Sequence, residues 1–142
     1  MSTRSLHFEA LGEPAPQGSM QAFVQGGRAV VTHAKPQKLQ DWRRAIGWAA
    51  REAVTLDALA PFQGPVGVSA TFRVSRPRSV SEGRRPHPSV RPDVDKLLRA
   101  LLDAITGIVI KDDAQVCRLD VQKVYALESE APGVVVEVRE LI

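Results

Sequence analysis

Residues 90–116, VRPDVDKLLRALLDAITGIVIKDDAQV, carry two close pairs of aspartates, Asp93 with Asp95 and Asp112 with Asp113. Carboxylates that converge can hold a hard divalent cation such as Mg²⁺, which takes oxygen ligands and keeps other positions for water and a substrate phosphate. Such a cation offsets charge on a phosphodiester and activates the water that hydrolyses it. The same residues also have ordinary uses. An N-cap carboxylate is worth about 0.5–2 kcal/mol over Ala, one in the first turn gains ~0.3–1 kcal/mol from the helix dipole, and aspartates are frequent in turns.

Convergence depends on the elements that carry the acids. Val94, Leu97, Leu98, Leu101, Leu102 and Ile105 form a wide apolar stripe, which predicts a helix over 94–106. Pro92 marks its start, Asp93 is suited to the N-cap and Gly107 supplies the stop. Two residues apart inside a helix point ~200° from each other. Asp93 and Asp95 can therefore share a ligand only if Asp93 is the non-helical cap and Asp95 lies in the first turn. Asp95, Arg99 and Asp103 recur at four-residue steps, which suits a surface salt-bridge ladder of ~0.3–0.5 kcal/mol per pair. Alternatively, Arg99 turns to the carboxylates and binds a phosphate oxygen. Asp112 and Asp113 stand where the chain turns into a strand. If that strand neighbours the helix start, a third carboxylate reaches the same point.

Basic residues precede the acids. Residues 75–92, SRPRSVSEGRRPHPSVRP, hold Arg76, Arg78, Arg84, Arg85 and Arg91 and four prolines against one acid, Glu82. This composition cannot bury a core and predicts a mobile loop. It is either a solvated charge run or a set of contacts to a nucleic-acid backbone. Lys38, Arg43 and Arg44, on the polar side of an earlier helix, extend the basic surface.

The rest of the chain reads as framework. SLHFEAL alternates as a first strand, and QAFVQGGRAVVTH predicts a hairpin turning at Gly26 and Gly27. Leu39, Trp42, Ile46, Ala49 and Ala53 predict a helix from Lys38 to about Leu56, with Trp42 but not Trp48 on its apolar stripe. VGVSATFRV, QVCRLDVQKVY and GVVVEVREL predict three more strands, with Cys117 in the apolar alternation of the second and so expected in the core. The order is strand, hairpin, helix, strand, helix, strand, strand. It predicts a single α/β domain over 1–142, a mixed sheet with two main helices packed on it.

Composition excludes several functions. With 142 residues, 44% apolar and 25% charged, the chain is that of a folded domain, and its net charge of +3 is modest. One cysteine permits no intrachain disulfide and no Cys-rich zinc site. No signal-peptide stretch or membrane span is visible, so a cytoplasmic setting is expected. There is no Walker A or GxGxxG loop, no GxSxG and no HExxH, and the three histidines are scattered. Pro92-Asp93 opens like a PD–(D/E)xK nuclease motif. The acid–x–Lys that must follow is missing, because Val109 stands two before Lys111 and Asp120 stands three before Lys123.

Residues 91–125, RPDVDKLLRALLDAITGIVIKDDAQVCRLDVQKVY, resemble the signature region of RusA-type Holliday junction resolvases, small endodeoxyribonucleases common in phages and prophages. RPDVD, LLDAITG and KDDAQV match the family's P-D-x-D, D-A-L and D-D-x-Q-V in order and spacing, and GEPAPQGSMQAF resembles its Pro-rich opening. The resemblance implies a RusA-like fold and a homodimer that binds four-way DNA junctions. It further implies paired nicks across the crossover, dependent on Mg²⁺ or on Mn²⁺ in its place, in recombination and repair. By position it implies Asp93, Asp95 and Asp113 as catalytic metal ligands with Asp112 beside them. The family commonly has Asn and Lys where this chain has Lys96 and Arg99. Arg99 keeps the positive charge, without the geometry of an ammonium, and is a candidate for transition-state stabilisation. The rival readings are a non-catalytic DNA-binding module, a phosphodiesterase acting on other branched or linear DNA, and a structural protein of a phage particle.

Overall fold

The computed structural model describes residues 3–18, 20–33, 35–59 and 61–142, with side chains at all of these except 20–23, 32 and 33. The side chain of His33 thus lies outside the described residues. The elements are β1 (Ser5–Leu11), β2 (Met20–Gln25), β3 (Arg28–His33), α1 (Pro36–Leu56), β4 (Val66–Val74), α2 (Val94–Ile105), β5 (Val116–Tyr125) and β6 (Gly133–Glu140), with a 3₁₀ turn at Asp113–Gln115. This is the order that the apolar periodicities predict.

Four strands form one sheet in the order β1-β6-β4-β5, antiparallel except for the parallel pair β4–β5. Parallel neighbours need a crossover, and α2 is that crossover. One face of the sheet is apolar. Leu6 and Phe8 of β1, Val66, Val68, Ala70 and Phe72 of β4, and Val134, Val136 and Val138 of β6 meet Leu39, Trp42, Ile46 and Ala50 of α1 and Leu97, Leu101 and Ile105 of α2 in one core. Both helices therefore pack on the same side, and the fold is mixed α/β with two helices on a mixed sheet.

The other face is polar. Arg73, only 9% exposed, donates from Nη2 to Glu9 Oε2 at 2.6 Å and from Nε to the Ala131 carbonyl at 3.0 Å. His7 and Arg139 both meet the Glu137 carboxylate. The sheet thus has the two-sidedness usual where only one face is covered.

The hairpin forms a separate two-stranded sheet. Gly26 and Gly27 have φ of +59° and +77°, the backbone a two-residue primed turn requires. Val24 and Val31 on it are exposed. Trp42 is buried and Trp48 is 66% exposed, as the helical stripe predicts. Cys117 departs from expectation. It is the extra residue of a β-bulge, since Val66 pairs with Val116 and Gly67 with Arg118, and β5 is an edge strand. Cys117 is consequently exposed rather than core, and Leu119 on the same strand is 49% exposed.

Candidate active site

The start of α2 is held in place by β5. Lys123 reaches from that strand and donates to the carbonyls of Val90 at 2.7 Å and Pro92 at 2.6 Å. Three ammonium donors suit such a strut, and it fixes the chain one residue before Asp93. The lysine that fits no acid–x–Lys motif therefore has a structural role beside the acids.

Asp93 occupies the N-cap of α2 with extended backbone, φ −73° and ψ 138°. Its carboxylate makes no capping hydrogen bond. The side chain faces Lys96 instead, with Oδ2 3.6 Å from Nζ. Asp95 is in the first turn and exposed. The non-helical cap and the helical acid are thus in the relation that lets two carboxylates serve one ligand, and neither is consumed by helix capping.

The second pair is built differently. Asp112 is the cap of the 3₁₀ turn, accepting from Ala114 N–H at 2.8 Å, and Gln115 completes a capping box. Gln115 Oε1 accepts from the Lys111 and Asp112 amides at 2.8 and 3.0 Å, while its Nε2 donates to the Phe62 and Gly64 carbonyls, both at 2.9 Å. This glutamine ties the turn to the loop before β4. Asp113, next to the cap, is exposed. The pattern Asp-x-x-Gln at 112–115 is the sequence signal for this role, and it lies inside the KDDAQV stretch.

The two pairs do not meet within one chain. Among the described residues no three His, Cys, Asp or Glu stand close enough to hold one ion. Topology gives the reason. As the crossover between parallel strands, α2 runs back along the sheet, so the chain enters β5 at the far end of α2. Ten helical residues, Lys96–Ile105, separate the pairs, about 15 Å of helix. The sheet register agrees, since Asp113 lies beside the Val66–Val116 pair while Lys123, which holds the helix start, pairs with Phe72, a span of about 20 Å along the strand.

Arg99 forms no ladder. Among the described residues no ion pair joins it to Asp95 or Asp103. The strap that follows β1 takes these side chains instead. Gln17 donates to the Asp103 carboxylate through Nε2, and its backbone N–H donates to the Lys96 carbonyl at 3.0 Å. Arg99 lies over Gly18, where a Cβ would sit 2.6 Å from Nη1 and would push the guanidinium aside, and the φ of +96° at Gly18 itself favours glycine.

The basic loop divides into two sets. Arg76 stacks over the Tyr125 ring at 4.1 Å and donates to the Arg85 carbonyl at 2.6 Å, while Arg85 Nε donates to the Tyr125 hydroxyl at 2.7 Å. Both are partly buried. Arg78, Arg84 and Arg91 are exposed, and their side chains enter no ion pair among the described residues. On α1, Lys38, Arg43 and Arg44 are exposed, with Arg44 3.9 Å from Asp41.

Comparison with known proteins bears on the sequence resemblance. Residues 12–139 match the model of the family described as Endodeoxyribonuclease RusA. A curated relative, Uncharacterized protein YqaN of Bacillus subtilis (strain 168), is 28% identical over 145 residues, covering 96% of each chain. Among solved structures, a protein of unknown function from Agrobacterium tumefaciens, Atu1372, aligns over 87% of this chain and 74% of its own, with 13% identity and a TM-score of 0.42.

Proposed function

The chain belongs to the RusA family of endodeoxyribonucleases, which resolve Holliday junctions, and on that premise we propose how this one does so. It acts as one domain over residues 1–142 that pairs into a homodimer, and it nicks four-way DNA junctions in pairs with Mg²⁺, or Mn²⁺, as the cation.

The observation that carries this reading is the carboxylate of Asp93, which leaves its own helix uncapped. An N-cap aspartate ordinarily accepts a first-turn N–H, and here it does not. Asp93 and Asp95 fit a hard cation, which is commonly held by one or two carboxylates with water and phosphate oxygens completing its shell. When bound, the cation supplies positive charge at the phosphodiester and a more acidic water. The chain's residues do the rest. Lys123 sets the position of Asp93 against the sheet. Lys96 neutralises Asp93 until a cation replaces it, and Arg99, held over Gly18, offers a second positive charge one turn from Asp95.

Asp113 joins this set from a second copy of the chain. About 15 Å of helix separates it from Asp95 within its own chain, and its neighbour Asp112 is taken up in capping the turn. A homodimer that crosses α2 starts over 3₁₀ turns completes two equivalent acid sets, which suits paired nicks. Arg78, Arg84 and Arg91, with Lys38, Arg43 and Arg44, track the DNA backbone. Arg76 and Arg85 shape the loop through Tyr125 and contact phosphate from there.

The test is strand cleavage of a labelled four-way junction beside a linear duplex of the same sequence, with Mg²⁺ and with chelator. Symmetric nicks in the junction alone, lost with chelator, support the reading. Retarded but uncut junction would leave a DNA-binding module, and equal cutting of the duplex would leave a phosphodiesterase without branch preference.

A further inference from the structure

Beside Asp93 lies a cleft of about 830 Å³, enclosed by the strap after β1, the first turns of α1 and the residues that lead into α2. Its size falls within the ~300–1,000 Å³ typical of sites for small organic ligands. Its chemistry is mixed in a particular way. Trp42, Ala15, Ala45 and the prolines at 14, 16 and 92 supply flat apolar surface, while Lys35, Lys38, Arg91 and Lys96 stand around it. Glu13 is already engaged, accepting from the Ser75 N–H and hydroxyl at 3.1 and 2.7 Å. Asp41 accepts from Gln37 Nε2 at 2.8 Å and Asp93 pairs with Lys96, so among the described residues the charge left without a partner at the rim, on Lys35, Lys38 and Arg91, is positive.

Trp42 adds a second observation. It is 3% exposed, yet among the described residues its indole Nε1 has no acceptor. A buried donor left without a partner is destabilising, and this one belongs to a side chain that lines the cleft although the atom itself is closed to solvent. A Cβ on Gly12 of the strap would sit 3.5 Å from Cε3 and 3.6 Å from Cζ3 of this indole, so the strap packs close to its six-membered ring. The helix behind the cleft also begins without a side-chain cap, at Lys35.

We propose that this cleft takes one unstacked nucleotide of the DNA being cut, its base against the prolines and Ala45 beside Trp42 and its phosphate between Lys38 and Arg91. This inference rests on the nuclease reading and deepens it. A planar base fits apolar walls, and the adjoining phosphate needs the rim cations. Removing a base from its stack is least costly at a branch point, where stacking is already interrupted. The cleft thus gives a physical reason for cutting branched DNA in preference to duplex, and it places the next phosphate beside Asp93.

Trp42 is itself the reporter once Trp48, exposed on the far side of the helical stripe, is replaced by Phe. Full-length W48F protein is titrated with thymidine 5′-monophosphate, thymidine and inorganic phosphate. Saturable quenching by the monophosphate, with a Kd on the order of 1 mM or tighter and at least tenfold below that of either fragment, is the expected result. Lys38→Glu, at an exposed position, weakens it at least tenfold, and Ala45→Phe, which fills the cleft, abolishes it. Quenching by phosphate alone to the same degree, or none by any probe, overturns the proposal. Trp42 emission that changes with protein concentration and not with nucleotide gives the cleft to a second copy of the chain, and also overturns it.

A companion measurement separates this failure from failure of the nuclease reading. A junction carrying 2-aminopurine at the crossover is bound by wild-type protein in chelator. A several-fold rise in its fluorescence, lost in Ala45→Phe, is expected. A junction that is bound and cut while 2-aminopurine stays dim refutes the cleft and leaves the nuclease standing. Mononucleotide binding without any junction cutting refutes the nuclease and leaves the cleft.

Discussion

The chain's two acidic pairs look alike in sequence and differ in what their carboxylates do. At the start of α2 the cap residue, Asp93, leaves the helix uncapped and faces Lys96. At the 3₁₀ turn the cap residue, Asp112, does cap, and Gln115 locks the box from the other side. In the first pair both acids remain open to a ligand, whereas in the second only Asp113 does. A carboxylate's position relative to a helix thus does not decide its role. The neighbours that satisfy the backbone in its place decide it.

Substitutions should separate the pairs. The largest effects are expected for Asp93→Asn, Asp95→Asn and Asp113→Asn. Each should lower junction cutting at least about 100-fold, as loss of metal-holding groups does. Each should also leave binding equal or tighter, because negative charge near phosphates is removed. Gel shift beside a cleavage time course reads both. Asp112→Ala should behave oppositely. It should cost about 0.5–2 kcal/mol in urea unfolding, the worth of a cap, while cutting stays within severalfold of wild type. Cutting abolished in Asp112→Ala with stability unchanged would erase the distinction between the pairs.

Much of this arrangement was legible in the residues. The apolar stripes of Leu39–Ala53 and Val94–Ile105 placed both helices to within two residues of their observed ends, because burial on one face imposes the period directly. The D-x-D junction placed Asp93 outside the helix and Asp95 inside it. The separation of the pairs was not legible, since it follows from β4 and β5 being parallel, and pairing direction leaves no mark in a strand's alternation. The bulge that turns Cys117 outward was hidden for the same reason. Lys123, Gly18 and Trp42 act through partners far away along the chain, so no local pattern announces them. Gln115 was within reach of the capping-box pattern.

Smaller effects should sharpen the comparison within the basic surface. Replacing Arg78, Arg84 and Arg91 together by Ala should weaken junction binding and reduce the slope of log K against log salt by about 0.9 for each phosphate no longer neutralised. Tyr125→Leu releases Arg76 and Arg85 from the ring, so it should destabilise the loop by about 0.5–1 kcal/mol per cation–π pair removed and change that slope less. Smallest of all, Lys96→Asn removes the ammonium that pairs with Asp93. An exposed ion pair is worth at most about 1 kcal/mol, so the Mg²⁺ concentration for half-maximal cutting should fall by up to about fivefold.

The central claim is that the two pairs, apart in one chain, serve one reaction between two. The most direct measurement mixes Asp93→Asn protein with Asp113→Asn protein, each inactive alone, and follows both strands of a labelled junction. A mixed dimer holds one complete acid set, with Asp93 and Asp95 from one chain and Asp113 from the other. The account predicts that mixing restores cutting and yields single nicks rather than paired ones. A mixture as inactive as its components, from chains shown to exchange partners, would contradict it.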